Sequence, residues 1–263
     1  MNHDGVINGV HTYTPSGYKE PPTALLQQRL SDFCDKKLGL MLHFGPYTNA
    51  GLIESWALCD QDAAWSQKQI DWTNDIDHFK RQYYGLSRSF NPIRFDPARW
   101  AKTAKEAGAG YVLFTMKHHD GFCMYDTAYT DYKVTAPDCP FSVEENADIA
   151  RALFERCRAE GLWVAAYFSK PDWHHEDYWE NHGIGYQTTR YPSYHTKQDP
   201  ERWARFVRFL HAQVHEIADR YTPDILWFDG GWIRRETDTD PRMEELIAAV
   251  REKHPGILAA NRT

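Results

Sequence analysis

The sequence predicts an α/β fold arranged as a TIM-type (β/α) barrel, and three observations support this. Short, continuously apolar segments alternate along the chain with amphipathic segments, a pattern typical of parallel strands covered on both faces. Asp-Pro dipeptides stand where several of the helical segments begin. Polar residues follow the apolar segments, as they do at the active face of a barrel. The first two observations fit an open doubly wound sheet equally well.

Five apolar segments are the predicted strands. In chain order they are LGLMLHF (38–44), YVLFTMK (111–117), LWVAAYF (162–168), DILWF (224–228) and GILAAN (256–261). No GxGxxG or P-loop motif follows the first of them, and this disfavours a nucleotide-binding doubly wound sheet.

The helices between these strands have recognisable start signals. Asp is a favourable N-cap and Pro suits the first helical position, and the pair occurs at 96–97, 199–200 and 240–241. Ser142 and Glu145 form a capping box, which predicts the start of a further helix.

The polar residues at the strand ends decide between the two architectures. A single polar residue after a strand is ordinary turn chemistry. A set of them at five successive strand ends indicates a functional site at the C-terminal face of a barrel. The set comprises His43, the run His118-His119-Asp120, the segment SKPDWHH (169–175), Asp229, and the pair Asn261-Arg262.

Composition excludes some functions and favours others. The net charge is −7 and no basic cluster is present, so nucleic-acid binding is not expected. The chain has 10 Trp, 15 Tyr and 13 His, which suits a site that stacks aromatic rings on sugars. A tryptophan-rich core accounts for the same counts, and composition leaves both interpretations open.

The chain is expected to consist of a polar N-terminal arm, residues 1–22, and one β/α-barrel domain, residues 23–263. We find no apolar signal segment and no stretch long enough to cross a membrane. The five cysteines are scattered without a CxxC motif, which is typical of a reduced, cytoplasmic protein.

Asp229 ends an otherwise apolar strand and is followed by two glycines. It lies two residues after Trp227, so both side chains fall on one side of the strand. A carboxylate in this position suits a glycosidase nucleophile. The alternative is an aspartate that caps the following turn.

The adjacent residues His118 and His119 could bind a metal ion or sugar hydroxyls. Neighbours on an extended strand point in opposite directions, so both reach one ion only if the strand bends. No HxH or HExxH motif is present. We therefore expect no metal and no cofactor, and we expect these imidazoles to donate to and accept from hydroxyl groups.

With these motifs in view, the chain from about residue 36 onward resembles the α-L-fucosidases of glycoside hydrolase family 29. The most specific segment runs from FDPARW at residue 95 through KHHDGF to TDY at residue 132, and LWFDGGW and AANR resemble later family motifs. The resemblance implies a (β/α)8-type barrel that removes terminal α-L-fucose from fucosylated glycans with retention of configuration, without a cofactor. It implies Asp229 as nucleophile and a fucose pocket lined by His43, His118, His119, Tyr167, Trp227 and Arg262.

Two departures from the family pattern affect the expected site. The family often has adjacent Glu and Trp, whereas here Ser55 separates Glu54 from Trp56, so only one of them is expected to keep its role. The family's acid/base glutamate usually follows the Asn-Arg strand, and this sequence stops at Thr263. Glu54 is then the first candidate acid within the chain and Glu176 a weaker one.

The sequence shows five strands rather than eight and no C-terminal β-sandwich. Three interpretations are open: a truncated barrel, a naturally reduced barrel, or a barrel fragment that binds sugar without hydrolysing it. Open sheet edges predict self-association into a homo-oligomer. Two other functions remain open: a fucose-binding barrel without an acid, and a metal-dependent hydrolase that uses His43, His118 and His119.

Overall fold

A computed structural model gives the fold of the protein. The residues it describes are 6–7, 10–11, 23–59, 63, 65–66, 76–180, 189–235 and 237–261. The helices within them are α1 (Ala24–Asp35), α2 (Ile76–Gly85), α3 (Pro97–Glu106), α4 (Ile149–Ala159), α5 (Pro200–Tyr221) and α6 (Met243–Lys253). The strands are β1 (Val6–Ile7), β2 (Val10–His11), β3 (Gly39–Leu42), β4 (Tyr111–Lys117), β5 (Trp163–Ser169), β6 (Ile225–Asp229) and β7 (Leu258–Asn261).

The main sheet contains the five predicted strands, all parallel, in the order β3-β4-β5-β6-β7. This confirms the α/β class and the five strand positions. The spatial order follows the chain order without the reversal that defines a doubly wound sheet. It is the order that consecutive strands have in a (β/α) barrel. Closure into a TIM barrel stays a prediction.

The two faces of the sheet carry separate apolar clusters. Val112, Phe114, Val164 and Leu226 belong to one cluster with the inward residues of α3, α4, α5 and α6. Because side chains alternate along a strand, the residues between them form a second cluster on the other face. That second cluster is built from Leu113, Ala165, Tyr167 and Ile225, with Tyr111, Trp163, Trp227 and Leu258 packed against it.

Helix α1 lies against the N-terminal ends of the strands. Arg29 pairs with Asp224, which directly precedes β6, at 2.6 Å. The same guanidinium lies 3.9 Å from the ring centroid of Trp163, the first residue of β5. The ring of Phe33 contacts that of Tyr111 at the start of β4. This edge of the sheet is therefore covered, and the polar residues collect at the opposite, C-terminal edge.

Two of the predicted helix starts are confirmed and two are wrong. Asp96 and Asp199 are N-caps whose carboxylates accept backbone N–H bonds. Residues 142–145 do not start a helix, because Asp148 supplies the cap of α4. Asp240 does not cap α6 either. Its Oδ1 accepts from the backbone N–H of Arg242, which takes the N-cap position instead.

The N-terminal arm contains one short paired segment. Strands β1 and β2 pair antiparallel, with Val6 opposite His11 and Ile7 opposite Val10, so the arm is not irregular throughout. The remainder of residues 1–22 lies outside the described residues. Among the described helices, none combines the length and apolar character that a membrane span requires.

Candidate active site

The candidate site lies at the C-terminal edge of the sheet, where polar side chains from β3, β4, β5 and β6 meet. At its centre is Asp229, whose side chain is largely buried. Its Oδ2 accepts a 2.7 Å hydrogen bond from the hydroxyl of Tyr167. Its Oδ1 accepts a 2.7 Å bond from the backbone N–H of Gly230. Asp229 is therefore a positioned carboxylate, and the turn that follows it orients it.

Strand register brings the aromatic partners of Asp229 into line. Ser169 pairs with Asp229, and Tyr167 pairs with Trp227. The rings of Tyr167 and Trp227 stack with centroids 5.1 Å apart. As the sequence predicts, Trp227 and Asp229 therefore share one face of β6.

The hydrogen bonds around His119 fix its tautomer. The hydroxyl of Ser169 donates to the carbonyl of Pro171 at 2.6 Å, so it accepts from Nδ1 of His119, also at 2.6 Å. The proton therefore resides on Nδ1, and Nε2 carries a lone pair. Among the described residues Nε2 has no hydrogen-bond partner, although it is buried. It lies 3.8 Å from Oδ2 of Asp229, so a ligand hydroxyl between the two acceptors could donate to either of them.

Hydrogen bonds fix the tautomer of His43 in the same way. The hydroxyl of Thr115 donates to the carbonyl of Leu42 at 2.9 Å, and it therefore accepts from Nδ1 of His43 at 2.9 Å. Nε2 of His43 is directed at Glu54, 3.5 Å from Oε1. Both His43 and His119 thus turn an Nε2 lone pair toward the site.

Glu54 connects three side chains of the site. Its Oε2 accepts a 3.1 Å hydrogen bond from the indole N–H of Trp56 and lies 3.2 Å from Nε2 of His118. Its backbone has a φ of 55°, which is unusual for a residue with a side chain and typical of functional sites. Glu54 and Trp56 therefore both lie in the candidate site, although Ser55 separates them in the sequence.

A bend allows His118 and His119 to face the same site. The register between β4 and β5 shifts between Thr115 and Lys117, which is the local irregularity that re-aims a side chain at the end of a strand. The two imidazole centroids are 4.3 Å apart. Nδ1 of His118 lies 2.5 Å from the hydroxyl of Ser55, so both rings are anchored by hydroxyl groups.

Burial controls the protonation of these groups. Burial, followed by the nearby His118, lowers the pKa of His43. Burial and the neighbouring imidazoles hold the pKa of His119 well below its usual range, so it is neutral at pH 7. Burial and Asp229 raise the pKa of Tyr167, which stays a hydrogen-bond donor. Burial opposes ionisation of Glu54, but the hydrogen bond and charge of His118 outweigh it and lower the pKa of Glu54.

Two tryptophans form a wall of the site that the sequence analysis did not assign. The ring of Trp232 lies 5.1 Å from that of His119, and the ring of Trp173 lies 5.0 Å from it. Trp56 contacts both indoles, and the guanidinium of Arg190 lies 5.0 Å from Trp232. The sequence signal for Trp232 is its position directly after Asp-Gly-Gly, and the signal for Trp173 is its position just after β5.

A buried ion pair shapes the loop that carries Trp173. Lys117 is fully buried and pairs with the buried Asp172 at 3.0 Å. Asp172 also accepts the backbone N–H groups of His174 and His175, which shapes the loop that carries Trp173. The sequence carries no signal for this pair, because its members lie on separate elements.

The structure brings together nearly all of the predicted site residues. His43, Glu54, Trp56, His118, His119, Tyr167, Trp227 and Asp229 form one connected cluster. Arg262 lies outside the described residues. The three histidines do not share one point, because Nε2 of His119 is directed at Asp229.

The chain is similar in sequence and in structure to known proteins. A family model described as Alpha-L-fucosidase matches residues 6–263. Tissue alpha-L-fucosidase of Rattus norvegicus is 26% identical over 200 residues, 76% of this chain and 39% of that protein. Alpha-L-fucosidase isoenzyme 1 from Paenibacillus thiaminolyticus is similar in structure, with a TM-score of 0.68 and 31% identity. That match covers 90% of this chain and 50% of the other.

A third similar structure is a GH29 alpha-L-fucosidase from Bacteroides thetaiotaomicron, trapped as a covalent intermediate in complex with 2-fluoro-fucosyl fluoride. It has a TM-score of 0.66 and 28% identity, and the match covers 94% of this chain and 50% of that one. The chain thus spans about half the length of these bacterial chains and less of the rat protein. The family match extends over nearly the whole sequence, and the chain belongs to the alpha-L-fucosidase family, glycoside hydrolase family 29.

Proposed function

We propose that this protein hydrolyses terminal α-L-fucosides with retention of configuration, through a covalent fucosyl-enzyme on Asp229. The observation that carries the proposal is the environment of Asp229. Its two oxygens accept hydrogen bonds from Tyr167 and from the backbone of Gly230, and His119 presents a lone pair beside it. Such an arrangement holds a carboxylate ready to attack an anomeric carbon.

The walls of the site suit fucose, a 6-deoxy sugar with an apolar methyl group and several hydroxyls. Nε2 of His119 accepts a hydroxyl proton, because its tautomer leaves no proton to donate. Glu54 and Nε2 of His43 can each accept a hydrogen bond from another fucose hydroxyl. Trp227 and Trp232 supply apolar surface for the ring and its methyl group.

The reaction proceeds in two displacement steps. In the first, a carboxylate oxygen of Asp229 forms a bond to the anomeric carbon, the glycosidic C–O bond breaks, and the leaving oxygen takes a proton from an acid. In the second, water gives a proton to the conjugate base, its oxygen bonds to the anomeric carbon, and Asp229 leaves as a carboxylate. The two inversions together retain the configuration.

We assign Glu54 to sugar binding rather than to proton donation. Its pKa lies below the usual range of a glutamic acid because His118 and His43 outweigh the effect of burial. An acid of this strength holds little of its proton at neutral pH, whereas a general acid works best with a pKa near the operating pH. We propose that the acid comes from outside the described residues. The covalent intermediate of the Bacteroides enzyme was trapped with a glutamate-to-glutamine mutant, which supports a glutamate in that role.

Hydrolysis of 4-nitrophenyl α-L-fucoside by the protein and by Asp229→Gly tests the proposal. Nitrophenolate departs with little help from an acid, so the assay reports on the nucleophile. We expect activity to fall by roughly 10³-fold or more in the variant. Sodium azide should restore turnover and yield fucosyl azide of inverted configuration, because azide replaces the missing carboxylate. Asp238→Asn, which changes an exposed aspartate of the loop after β6, is the matched control.

The same assay separates the enzyme from a fucose-binding barrel without an acid. A folded protein that binds fucose in calorimetry but releases no nitrophenolate would contradict the enzymatic proposal and favour the binding module. Activity that survives in Asp229→Gly without azide would remove Asp229 from the nucleophile's role.

A further inference from the structure

We propose that His43, Glu54 and His118 form a binding site for one divalent transition-metal ion of the zinc class, and that this ion competes with the sugar. Among the described residues, these three make up the one group of three or more histidine, cysteine or carboxylate side chains whose ligand atoms converge. The ligand atoms all lie within 4.8 Å of one another. The site differs from the set of three histidines considered from the sequence, because Glu54 takes the place of His119.

Two of the separations between ligand atoms are close to what a small ion requires. Nε2 of His43 is 3.5 Å from Oε1 of Glu54, and Nε2 of His118 is 3.2 Å from Oε2. Ligands about 2.1 Å from a tetrahedral zinc ion are separated from one another by roughly 3.4 Å. The two measured separations lie on either side of that value. An ion could therefore enter with small side-chain movements.

Hydrogen bonds at the Nδ1 atoms orient the imidazoles of His43 and His118 for metal binding. A ligating histidine generally donates its second ring N–H to an oxygen, which fixes the tautomer and the ring orientation. Nδ1 of His43 donates to Thr115, since the hydroxyl proton of Thr115 is committed to Leu42. Nδ1 of His118 lies within hydrogen-bond distance of the hydroxyl of Ser55. Both Nε2 atoms are thereby directed at Glu54.

The carboxylate of Glu54, like the two imidazoles, is held in a fixed orientation. The indole N–H of Trp56 holds Oε2 of Glu54, and the turn that carries Glu54 has a left-handed backbone. Two imidazoles and one carboxylate leave at least one coordination position open for water, which is the ligand set of many catalytic zinc sites. Nitrogen and oxygen ligands of this kind favour Zn²⁺ and Cu²⁺ over Mg²⁺ and Ca²⁺.

The metal ion and the sugar hydroxyls would bind to the same lone pairs of His43 and Glu54. Under the proposed function, His43 and Glu54 receive a fucose hydroxyl, so an ion bound to them excludes the sugar. The structure thus assigns an inhibitory role to the metal. The competition rests on the proposed function, whereas metal binding by itself does not, and the two are measured separately.

Isothermal titration of the metal-free protein with zinc chloride tests the binding. We expect about one zinc ion per chain, with affinity at least tenfold weaker in Glu54→Gln, because the substitution removes the anionic ligand. His254→Gln is the matched control, because His254 pairs with Asp219 in a histidine–carboxylate contact outside the cluster, and it should bind zinc like the wild type. Equal zinc affinity in Glu54→Gln and wild type, or no zinc binding by the wild type, would overturn the proposal.

Cobalt substitution tests the site without any variant. Co²⁺ bound to two nitrogens and a carboxylate in a tetrahedral site gives intense visible bands, and added L-fucose should abolish them. Weak octahedral bands that fucose leaves unchanged would place the metal elsewhere. Zinc binding that persists in a protein without fucosidase activity would uphold the metal site and contradict only the proposed function.

Discussion

The hydroxyl of Tyr167 donates a 2.7 Å hydrogen bond to Oδ2 of Asp229, and the two residues lie on neighbouring parallel strands. The donor is fully buried and stays protonated because burial and Asp229 raise its pKa. The contact therefore orients Asp229, the proposed nucleophile, and the effect of its removal on activity can be measured.

Removal of this hydroxyl in Tyr167→Phe is expected to lower kcat/KM by about 10- to 100-fold, since a hydrogen bond to a charged group contributes about 1.5–3 kcal/mol. The loss should appear with 4-nitrophenyl fucoside as well, because that assay reports on Asp229 rather than on the acid. Tyr129→Phe, at an exposed tyrosine, is the control. An unchanged kcat/KM would show that Tyr167 does not act through Asp229.

Replacement of Glu54 by Gln distinguishes sugar binding from proton donation. If Glu54 binds the sugar, kcat/KM should fall by about 10- to 100-fold for every substrate, because a charge-assisted hydrogen bond is lost equally from each. Kinetics with 4-nitrophenyl fucoside and with a fucosylated oligosaccharide measure this. A loss confined to the oligosaccharide, whose leaving group needs protonation, would instead assign the acid to Glu54.

The neutral state of His119 predicts a dependence of stability on pH. Its pKa in the folded protein lies well below the ordinary value of 6.5, so below pH 6.5 the unfolded chain binds more protons than the folded one. The free energy of unfolding should therefore decrease as pH falls from about 7 toward 5. In His119→Asn the free energy should decrease less, so that the drop in Tm between about pH 7 and pH 5 is a few degrees smaller than in the wild type. Parallel Tm profiles of the two proteins would contradict the prediction, and His254→Gln is the control.

The turn that follows Asp229 should not tolerate a side chain at Gly230. Gly230 has a φ of 95°, and a Cβ there would lie 2.3 Å from Cδ of Pro171. Gly108 has a φ of 83° with no atom within 4 Å of a Cβ. We expect Gly108→Ala to cost about 1–2 kcal/mol through backbone strain alone. Gly230→Ala should cost more and lower kcat, measured by urea unfolding and by kinetics. Equal costs would show that the contact with Pro171 is easily relieved.

The sequence alone is sufficient to predict the five strands, because an apolar run bounded by turns is a local property. It is also sufficient to predict that Asp229, His118 and His119 lie together in a candidate site, because they end or follow those strands at one edge of a parallel sheet. Helix starts are less certain from sequence. Asp148 and Arg242 cap helices in place of the predicted Ser142 and Asp240, because several polar residues near a helix start compete for the same N–H groups.

Only the tertiary structure determined which atoms meet and where their protons reside. The tautomer of His119 depends on Ser169, 50 residues away in sequence, and the partners of Glu54 come from the ends of two different strands. The contacts of Trp173 and Trp232 with His119 were likewise visible only in the structure. The sequence pattern records which side of each element is apolar, whereas a hydrogen bond requires two elements to be placed within about 3 Å of each other. That placement is set by the packing of the whole sheet.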